Sequence, residues 1–221
     1  MIDYLLNLVL EKYLRKNKKE RKVGVYYPSE LSFPCLRRNY YLYKQPRELP
    51  LDKLLLFESG NEAHRWLYNV LNTDIEGVHI ESIPEGELVF TTGGISIVGR
   101  YDDLLLIKFT KDSVIYLVLI EIKSVKNLDL ITKVSEHHNM QIMFYMRLLG
   151  LDEGYIVYID RRNYKYKVYH IKYSEEIFKK LVNRAKKLHK HLIENKIPEP
   201  EGKETWACRY CEYGDICGNN G

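Results

Sequence analysis

The chain has 221 residues, of which 45% are hydrophobic and 29% charged, and its formal net charge is +4. This composition is typical of a globular protein and excludes a disordered one. The longest apolar stretches, such as Val114 to Ile122, are too short to cross a bilayer, and no small-residue cleavage site follows the apolar N-terminus. We therefore expect a cytoplasmic protein with no membrane partner.

Apolar residues at helical spacing predict helices in the first third of the chain. The first covers Ile2 to Leu14 and is followed by a basic run, Arg15 to Lys22, which is either a solvated surface or a face that contacts phosphates. A second segment opens at Pro28, with Ser29 as its predicted N-cap. The third helix covers Leu54 to Leu71 and has a wide apolar face.

The middle of the chain changes to strand periodicity. Glu87 to Thr92, Ile95 to Phe109 and Val114 to Ser124 are rich in β-branched and aromatic residues and are separated by short turns, so they predict an antiparallel meander. The remaining predicted elements are a helix from Val134 to Leu149, strands at Tyr155 to Asp160 and Lys165 to Tyr173, and a helix from Ser174 to Asn195. This order predicts an α/β fold, with a mixed central sheet flanked by helices.

Two carboxylates and a lysine interrupt the apolar strands. Asp102 ends the segment Gly99-Arg100-Tyr101-Asp102, while Glu121 and Lys123 share one face of their strand and Ile122 lies on the other. Two carboxylates on neighbouring strands can hold a hard divalent cation and leave positions for water and a phosphate. The metal would activate the water, and the lysine would either stabilise charge on the phosphate or position the attacking water. The set predicts a metal-dependent DNA nuclease.

Each of these features also has a purely structural interpretation. Glu-x-Lys is common in a chain rich in both residues, and Asp103 is a rival to Asp102 as a ligand. Gln141 and Tyr145 share one helix face, where a glutamine is often an ordinary surface amide. The pair His137-His138 is expected on a helix surface. Because an unpaired charge in an apolar strand is costly, the combination favours a catalytic site.

The four cysteines form a three-plus-one pattern. Cys208, Cys211 and Cys217 are close together in the C-terminal tail, and Cys35 stands alone near the N-terminus. In a cytosolic protein such clustering favours metal ligation over disulfides. Structural zinc sites usually show two short cysteine pairs, so the uneven spacing favours an iron–sulfur cluster over zinc. A cluster here would join the N-terminal segment to the C-terminal tail.

In this order, the motifs resemble the RecB-like branch of the PD-(D/E)XK nuclease superfamily. Within that branch the chain is most similar to the fourth CRISPR-associated (Cas) protein family, the iron–sulfur exonucleases of spacer acquisition. The matching motifs extend over almost the whole chain and are Cys35 followed by Arg37 and Arg38, Gly60-x-x-x-His64, Gly99-x-x-Asp102, Glu121-Ile122-Lys123, Gln141-x-x-x-Tyr145 and the final three cysteines.

The resemblance implies a role for each matched residue. The implied metal ligands are the side chains of His64, Asp102 and Glu121 together with the backbone carbonyl of Ile122. Lys123 is implied as the catalytic lysine, and Gln141 and Tyr145 as support for the site and the DNA strand. The implied cluster ligands are Cys35, Cys208, Cys211 and Cys217.

The resemblance also implies cofactors, a substrate and partners. We expect Mg²⁺ or Mn²⁺ and an iron–sulfur cluster, with [4Fe–4S] favoured and [2Fe–2S] possible. The expected activity is digestion of single-stranded DNA from the 5′ end, with the CRISPR integrase complex as a partner in trimming new spacers. A restriction-endonuclease-like core is predicted at 54–197, between an N-terminal helical segment at 1–53 and a cysteine-bearing tail at 198–221. The alternatives are a RecB-like repair or viral nuclease and a non-catalytic iron–sulfur DNA-binding module.

Overall fold

The computed structural model describes residues 2–16, 20–73, 75–111, 114–201 and 206–217. In these ranges the helices are α1 (Ile2–Leu14), α2 (Pro28–Leu31), α3 (Leu36–Lys44), α4 (Leu51–Leu71), α5 (Glu136–Leu149), α6 (Glu175–Ile193) and α7 (Trp206–Arg209). The strands are β1 (Val25–Tyr26), β2 (Val78–Pro84), β3 (Glu87–Thr92), β4 (Ile95–Arg100), β5 (Asp103–Phe109), β6 (Ile115–Val125), β7 (Glu153–Asp160) and β8 (Tyr166–Lys172). Among these helices none combines the length and the apolar character that a membrane span needs.

The central sheet has five strands in the order β2-β5-β6-β7-β8. Neighbouring strands run antiparallel except β6 and β7, which are parallel and place Lys123 opposite Tyr158. A parallel pair needs a crossover connection, and α5 lies in the segment that provides it. The predicted α/β fold with a mixed sheet and flanking helices is therefore confirmed.

A second sheet of three strands has the order β1-β4-β3, so β4 and β5 belong to different sheets. The predicted strand from Ile95 to Phe109, and with it the single meander, is wrong. The chain changes sheet at Tyr101 and Asp102, where backbone bonds hold it to the turn before β3. Tyr101 N–H donates to Gly86 O at 3.1 Å, and Glu85 N–H donates to Asp102 O at 3.2 Å. β2, which was not predicted, takes the edge of the central sheet beside β5.

Helices cover both faces of the central sheet. On one face, Ala63 and Leu67 of α4 pack with Ile120 and Ile122 of β6 and with Val157 of β7. On the other face, buried side chains of α5 and α6 form a larger core that also includes residues of α2, α3 and the three-stranded sheet. Full burial of one such aliphatic side chain contributes about 1.5–3 kcal/mol, so both layers hold β6 firmly in place.

Local sequence explains several helix ends. α2 begins at Pro28 with Tyr27 as its N-cap, so the prediction of Ser29 as N-cap is wrong. Proline suits this first position because its missing N–H would have no partner inside the helix. Gly150 ends α5 with a φ of 68°, as its position in the sequence predicts. Ser174 caps α6 by accepting a hydrogen bond from Ile177 N–H at 3.4 Å.

Candidate active site

Asp102 lies at the junction between the two sheets, directly before β5. Its Oδ2 accepts a hydrogen bond from Ile122 N–H of β6 at 2.6 Å. Its Oδ1 lies 3.6 Å from Nδ1 of His64 on α4. The side chains of Asp102 and His64 keep 17% and 31% of their exposure, so both are reachable from solvent. The fold therefore brings a carboxylate and an imidazole from distant parts of the chain to one half-buried place.

Glu121 and Lys123 lie on the face of β6 that is turned toward α5. Lys123 Nζ donates to Glu121 Oε1 at 2.5 Å and to Gln141 Oε1 at 3.2 Å. Gln141 Nε2 in turn donates to Tyr145 OH at 3.4 Å. Ile122 packs in the core on the α4 side of the sheet, as strand alternation predicts. The structure thus connects every predicted residue of this site, from His64 on α4 to Tyr145 on α5.

Glu121 is fully buried, and within the described part of the chain its Oε2 has no hydrogen-bond partner. Burial, and then the nearby charge of Asp102, raise the pKa of Glu121, while Lys123 opposes that shift. Burial alone would lower the pKa of Lys123, but the charges of Glu121 and Asp102 outweigh it and raise that pKa. Lys123 is therefore protonated at neutral pH. A buried acceptor without a donor is costly and points to a cation as its partner.

The donor set fits a hard divalent cation. Carboxylate oxygens are the ligands that Mg²⁺ and Mn²⁺ prefer, and Oε2 of Glu121 still has its lone pairs free for ligation. Oδ1 of Asp102 faces His64, while Oδ2 is occupied by Ile122 N–H. Across the described ranges, no three His, Cys, Asp or Glu side chains are already positioned to hold one ion.

Asp103, the rival carboxylate, is occupied elsewhere. It is 1% exposed, and both of its carboxylate oxygens lie 2.7 Å from Ser82 Oγ of β2. Burial, partly offset by the bond from Ser82, raises the pKa of Asp103. Asp103 therefore links β5 to β2 through Ser82, whereas Asp102 faces His64.

Two glycines that the sequence motifs contain allow close packing at the site. A Cβ on Gly99 would lie 2.8 Å from Cε1 of Tyr145 and 2.9 Å from Cγ of Pro28. A Cβ on Gly60 of α4 would lie 3.3 Å from Oγ of Ser124 on β6. Gly99 thus makes room for Tyr145, and Gly60 lets α4 approach the strand that carries Glu121. Sequence reasoning missed these packing roles, since a glycine outside a turn gives no local signal of what lies against it.

The histidine pair at the start of α5 differs from its prediction. His138 Nδ1 lies 2.9 Å from Tyr158 OH, and Tyr158 OH also accepts a bond from Ser135 N–H at 3.2 Å. Both histidines are half-buried, so the predicted surface position is wrong. Tyr158 pairs with Lys123 across β6 and β7, and it therefore fixes the first turn of α5 beside the strand that carries Glu121 and Lys123.

The four cysteines line one cavity, and none of the residues of the acidic site lines it. Its lining includes Cys35, Cys208, Cys211 and Cys217 together with Arg38 and Tyr213. Cys35 is buried and precedes α3, while the other three are half-buried. Within the described ranges, these cysteines are not already grouped closely enough to hold a metal ion. The donor set and its common cavity fit a thiolate-bound metal centre in composition and place.

Arginines after Cys35 hold the C-terminal tail in position. Arg38 forms two hydrogen bonds to Glu212, at 3.1 Å and 2.8 Å, and both side chains are largely buried. Arg37 donates from Nε to Pro198 O at 2.6 Å and from its terminal nitrogen to Cys217 Sγ at 3.7 Å. Bidentate arginine–carboxylate pairs are among the stronger polar contacts. These contacts keep the tail cysteines beside Cys35.

The carboxylates and the lysine on a mixed sheet between helices define the chain as a protein of the nuclease class. The family model of the PD-(D/E)XK nuclease superfamily matches residues 39–218, and the chain belongs to this superfamily. No curated protein sequence matches the chain.

Solved structures with a similar fold include SSO0001, which is 25% identical, with a TM-score of 0.61, and the match covers 99% of this chain and 96% of that one. LHK-Exo in complex with dAMP is 15% identical with a TM-score of 0.53, covering 78% of this chain and 90% of that one. The alkaline exonuclease LHK-Exo from Laribacter hongkongensis, also 15% identical over the same shares, has a TM-score of 0.49. The first two likenesses agree with the α/β fold.

Proposed function

We propose that this chain is a divalent-metal-dependent DNA nuclease whose catalytic residues are Asp102, Glu121 and Lys123. The observation that carries the proposal is the fully buried Glu121, whose Oε2 has no partner in the described part of the chain. A bound cation would neutralise this charge, and the protonated Lys123 beside it would face the substrate phosphate. Membership of the nuclease superfamily supports the same reaction.

The residues of the site have separable roles in phosphodiester hydrolysis. His64, Asp102 and Glu121, with the backbone carbonyl of Ile122, would hold Mg²⁺ or Mn²⁺. The metal would activate a water molecule and offset charge on the phosphoryl oxygens. Lys123 stabilises the charge that develops on the phosphate, because its ammonium stays protonated. Gln141 orients that ammonium through its bond at 3.2 Å, and Tyr145 orients Gln141.

The finer activity we propose is exonucleolytic digestion of single-stranded DNA from the 5′ end. Its support is the order of the motifs, from Gly60-x-x-x-His64 to Gln141-x-x-x-Tyr145, together with their contacts in one site. The test is incubation with end-labelled single-stranded DNA and Mn²⁺, comparing substrates blocked at the 5′ or the 3′ end. Loss of digestion on the 5′-blocked substrate alone is expected. Lys123→Ala and Glu121→Ala should abolish cleavage, and equal digestion by these variants would reject the assigned site.

We also propose an iron–sulfur cluster, with [4Fe–4S] favoured over [2Fe–2S], held by Cys35, Cys208, Cys211 and Cys217. Its support is the single cavity that the four thiols line. Anaerobically purified protein should be coloured and should contain iron, and Cys208→Ser should lose both the colour and the iron. A colourless protein with stoichiometric zinc would replace the cluster by a zinc site.

The biological setting we propose is cytoplasmic trimming of new spacers together with the CRISPR integrase complex. The support is the family resemblance of the motifs. Spacer acquisition in cells that carry Lys123→Ala tests this setting, since spacers of altered length are expected. Normal spacers in those cells would favour a RecB-like repair or viral nuclease with the same chemistry. A non-catalytic DNA-binding module would bind DNA but cleave none with any divalent metal.

A further inference from the structure

Helix α1 turns its apolar side to solvent. Apolar residues recur in this helix at the spacing i, i+4, i+7 and i+11, and they form one stripe of Ile2, Leu6, Val9 and Tyr13. These four side chains are 58% to 66% exposed, and no residue of α1 is buried. The usual arrangement is the reverse, because a helix of a globular protein packs its apolar stripe against the core.

The described part of the chain holds α1 at its end. Tyr13 OH donates to Glu58 Oε1 of α4 at 3.4 Å, and Arg15 donates to Leu49 O at 3.3 Å. Residues 2–9 are all exposed. A helix of this length is only marginally stable in water by itself, and most helices in proteins are stabilised by packing of an apolar face. The exposed stripe of α1 is therefore a surface suited to burial against a partner.

The start of α4 adds to this apolar surface. Leu55, Leu56 and Phe57 are 42%, 45% and 56% exposed, and Phe57 lines one cavity with Tyr13, so the two surfaces adjoin. A fully exposed apolar side chain presents on the order of 150 Å², so the stripe, Leu5 and these three residues leave roughly 700 Å² in water. This is more than a typical monomer exposes in one patch and close to the roughly 800 Å² that each partner buries in a stable interface.

The charges of α1 indicate the chemistry of the partner. Residues 2–11 include Asp3 and Glu11 but no lysine or arginine. Nucleic acids and anionic membranes both attract cationic side chains, so neither suits this part of the helix. A stripe with spacings of three and four residues instead fits a second helix of the same kind, because the side chains of each helix fill the gaps of the other. A second copy of this chain provides such a helix together with an equal apolar area.

We propose that two copies of this chain form a dimer in which their α1 helices pack antiparallel along the apolar stripe, with the start of α4 at the edge of the interface. Charge favours this orientation, since parallel helices would bring Lys12, Arg15 and Lys16 of both copies to the same end. In the antiparallel pair these cations lie at the end that holds the partner's Asp3. The same surface meets itself across a two-fold axis, so the assembly closes at two copies. The proposal is independent of the nuclease function.

Sedimentation equilibrium of the full chain at micromolar concentration tests the dimer. The parent protein should have twice the chain mass of 26.3 kDa. Val9→Lys should raise Kd for dimerisation at least about 100-fold, because each copy would bury an unpaired cation in the interface. Val9 is 66% exposed, so the change removes no core contact, and an unchanged circular dichroism spectrum of the variant checks its fold.

Asn7→Lys is the matched control. Residues two apart lie on opposite sides of a helix, so this variant adds the same cation to the exposed polar side of α1 and should dimerise like the parent. A monomeric parent, or equal dimerisation of Val9→Lys and Asn7→Lys, overturns the proposal. Sedimentation of a monomeric parent with phosphatidylglycerol vesicles would assign the stripe to a membrane surface.

A photo-crosslinker tests the orientation. Tyr13 is replaced by p-benzoylphenylalanine, and labelled protein is mixed with protein enriched in a heavy nitrogen isotope, so that mass spectrometry recognises links between copies. The antiparallel dimer should link position 13 to residues 2–6 of the partner. Links from position 13 to the end of the partner's α1 would show a parallel pair and overturn the proposed arrangement.

Discussion

Asp102 and Ile122 are joined by a hydrogen bond of 2.6 Å between a carboxylate oxygen and a backbone N–H, across 20 residues of sequence. The bond fixes the point at which the chain passes from the three-stranded to the five-stranded sheet. It also leaves the second oxygen of Asp102 turned toward His64. Asp102 thus makes a structural hydrogen bond and, in the proposed function, also binds the metal ion, and substitutions can separate the two roles.

Asp102→Asn should abolish cleavage and spare the fold. An asparagine oxygen can still accept the bond from Ile122 N–H, but the negative charge that would bind the metal is lost. We expect the rate of DNA cleavage with Mn²⁺ to fall at least about 100-fold, the usual scale for removing a key electrostatic group. The melting temperature should change by only a few degrees.

Asp103→Asn is the matched control for that change. Asp103 is buried, and both of its carboxylate oxygens accept from Ser82 of β2, which lies outside the candidate site. We expect cleavage within a factor of a few of the parent rate, with a lower melting temperature. A loss of cleavage in Asp103→Asn together with an active Asp102→Asn would exchange the two assignments.

Gly99→Ala should destabilise the protein and lower its activity. The new methyl group would lie 2.8 Å from a ring carbon of Tyr145 and 3.0 Å from one of Phe144, and both rings are buried in the core. Overpacking of this kind costs about 1–3 kcal/mol, which a lower urea midpoint at unchanged m-value would show. Cleavage should fall with stability, because Tyr145 supports Gln141.

Gly60→Ala provides the comparison for Gly99→Ala. Its methyl group would meet only Oγ of Ser124, at 3.3 Å, and a hydroxyl can rotate away. Alanine also gains about 0.5–1 kcal/mol over glycine inside a helix. The cost of the close contact with Ser124 and the gain in helix propensity should nearly cancel, so the free energy of unfolding should hardly change. A loss of stability at Gly60→Ala as large as that at Gly99→Ala would mean that the spacing of α4 from β6 is an equally tight constraint.

Much of this site can be predicted from the sequence because its signals are local. Glu121 and Lys123 are two residues apart on one strand, and Gln141 and Tyr145 are one helical turn apart, so alternation and helical spacing place each pair before any long-range contact is known. The contact between Lys123 and Gln141 then follows from the crossover that α5 makes beside β6.

Features that depend on distant neighbours could not be predicted. The split of Ile95 to Phe109 into two sheets follows from pairing with β1, β2 and β3. The residues Gly99 to Asp103 between the two apolar halves do not show by themselves that the halves belong to different sheets. The engagement of Asp103 by Ser82 depends on β2, a strand that periodicity did not reveal. The space that Gly99 leaves for Tyr145 depends on a helix that begins 37 residues later.

Addition of Mn²⁺ should raise the melting temperature of the parent protein but not that of Glu121→Gln. A ligand that binds only the folded state stabilises it by RT ln(1 + [L]/Kd), which is about 2.7 kcal/mol at 100 times Kd. Glutamine keeps the shape of Glu121 but offers the cation a neutral oxygen in place of a charged one. Differential scanning fluorimetry with Mn²⁺, and again after chelation with EDTA, measures the shift. Equal shifts in both proteins would place the cation elsewhere.

Acid should destabilise the protein through the histidines at the start of α5. Burial, followed by the nearby His137 and Lys123, lowers the pKa of His138 to about 2, and burial lowers that of His137 to about 4. In the unfolded chain both histidines are protonated near their ordinary pKa of about 6.5. In the folded chain they remain neutral to a lower pH. Their contribution to stability is therefore complete above pH 6.5 and is lost progressively as the pH falls below it.

His138→Asn tests this effect, because the asparagine oxygen can still bond to Tyr158 OH while the titrating ring is removed. Between pH 6 and pH 4.5 each resisting histidine steepens the fall in unfolding free energy by about 1.4 kcal/mol per pH unit at most. Urea unfolding over this pH range should show that the unfolding free energy falls less steeply in His138→Asn than in the parent protein. His79→Asn, on an exposed part of β2, should leave the parent slope unchanged. If His138→Asn and the parent lose stability in parallel, the acid sensitivity arises from other groups, and the buried bond between His138 and Tyr158 contributes only to packing.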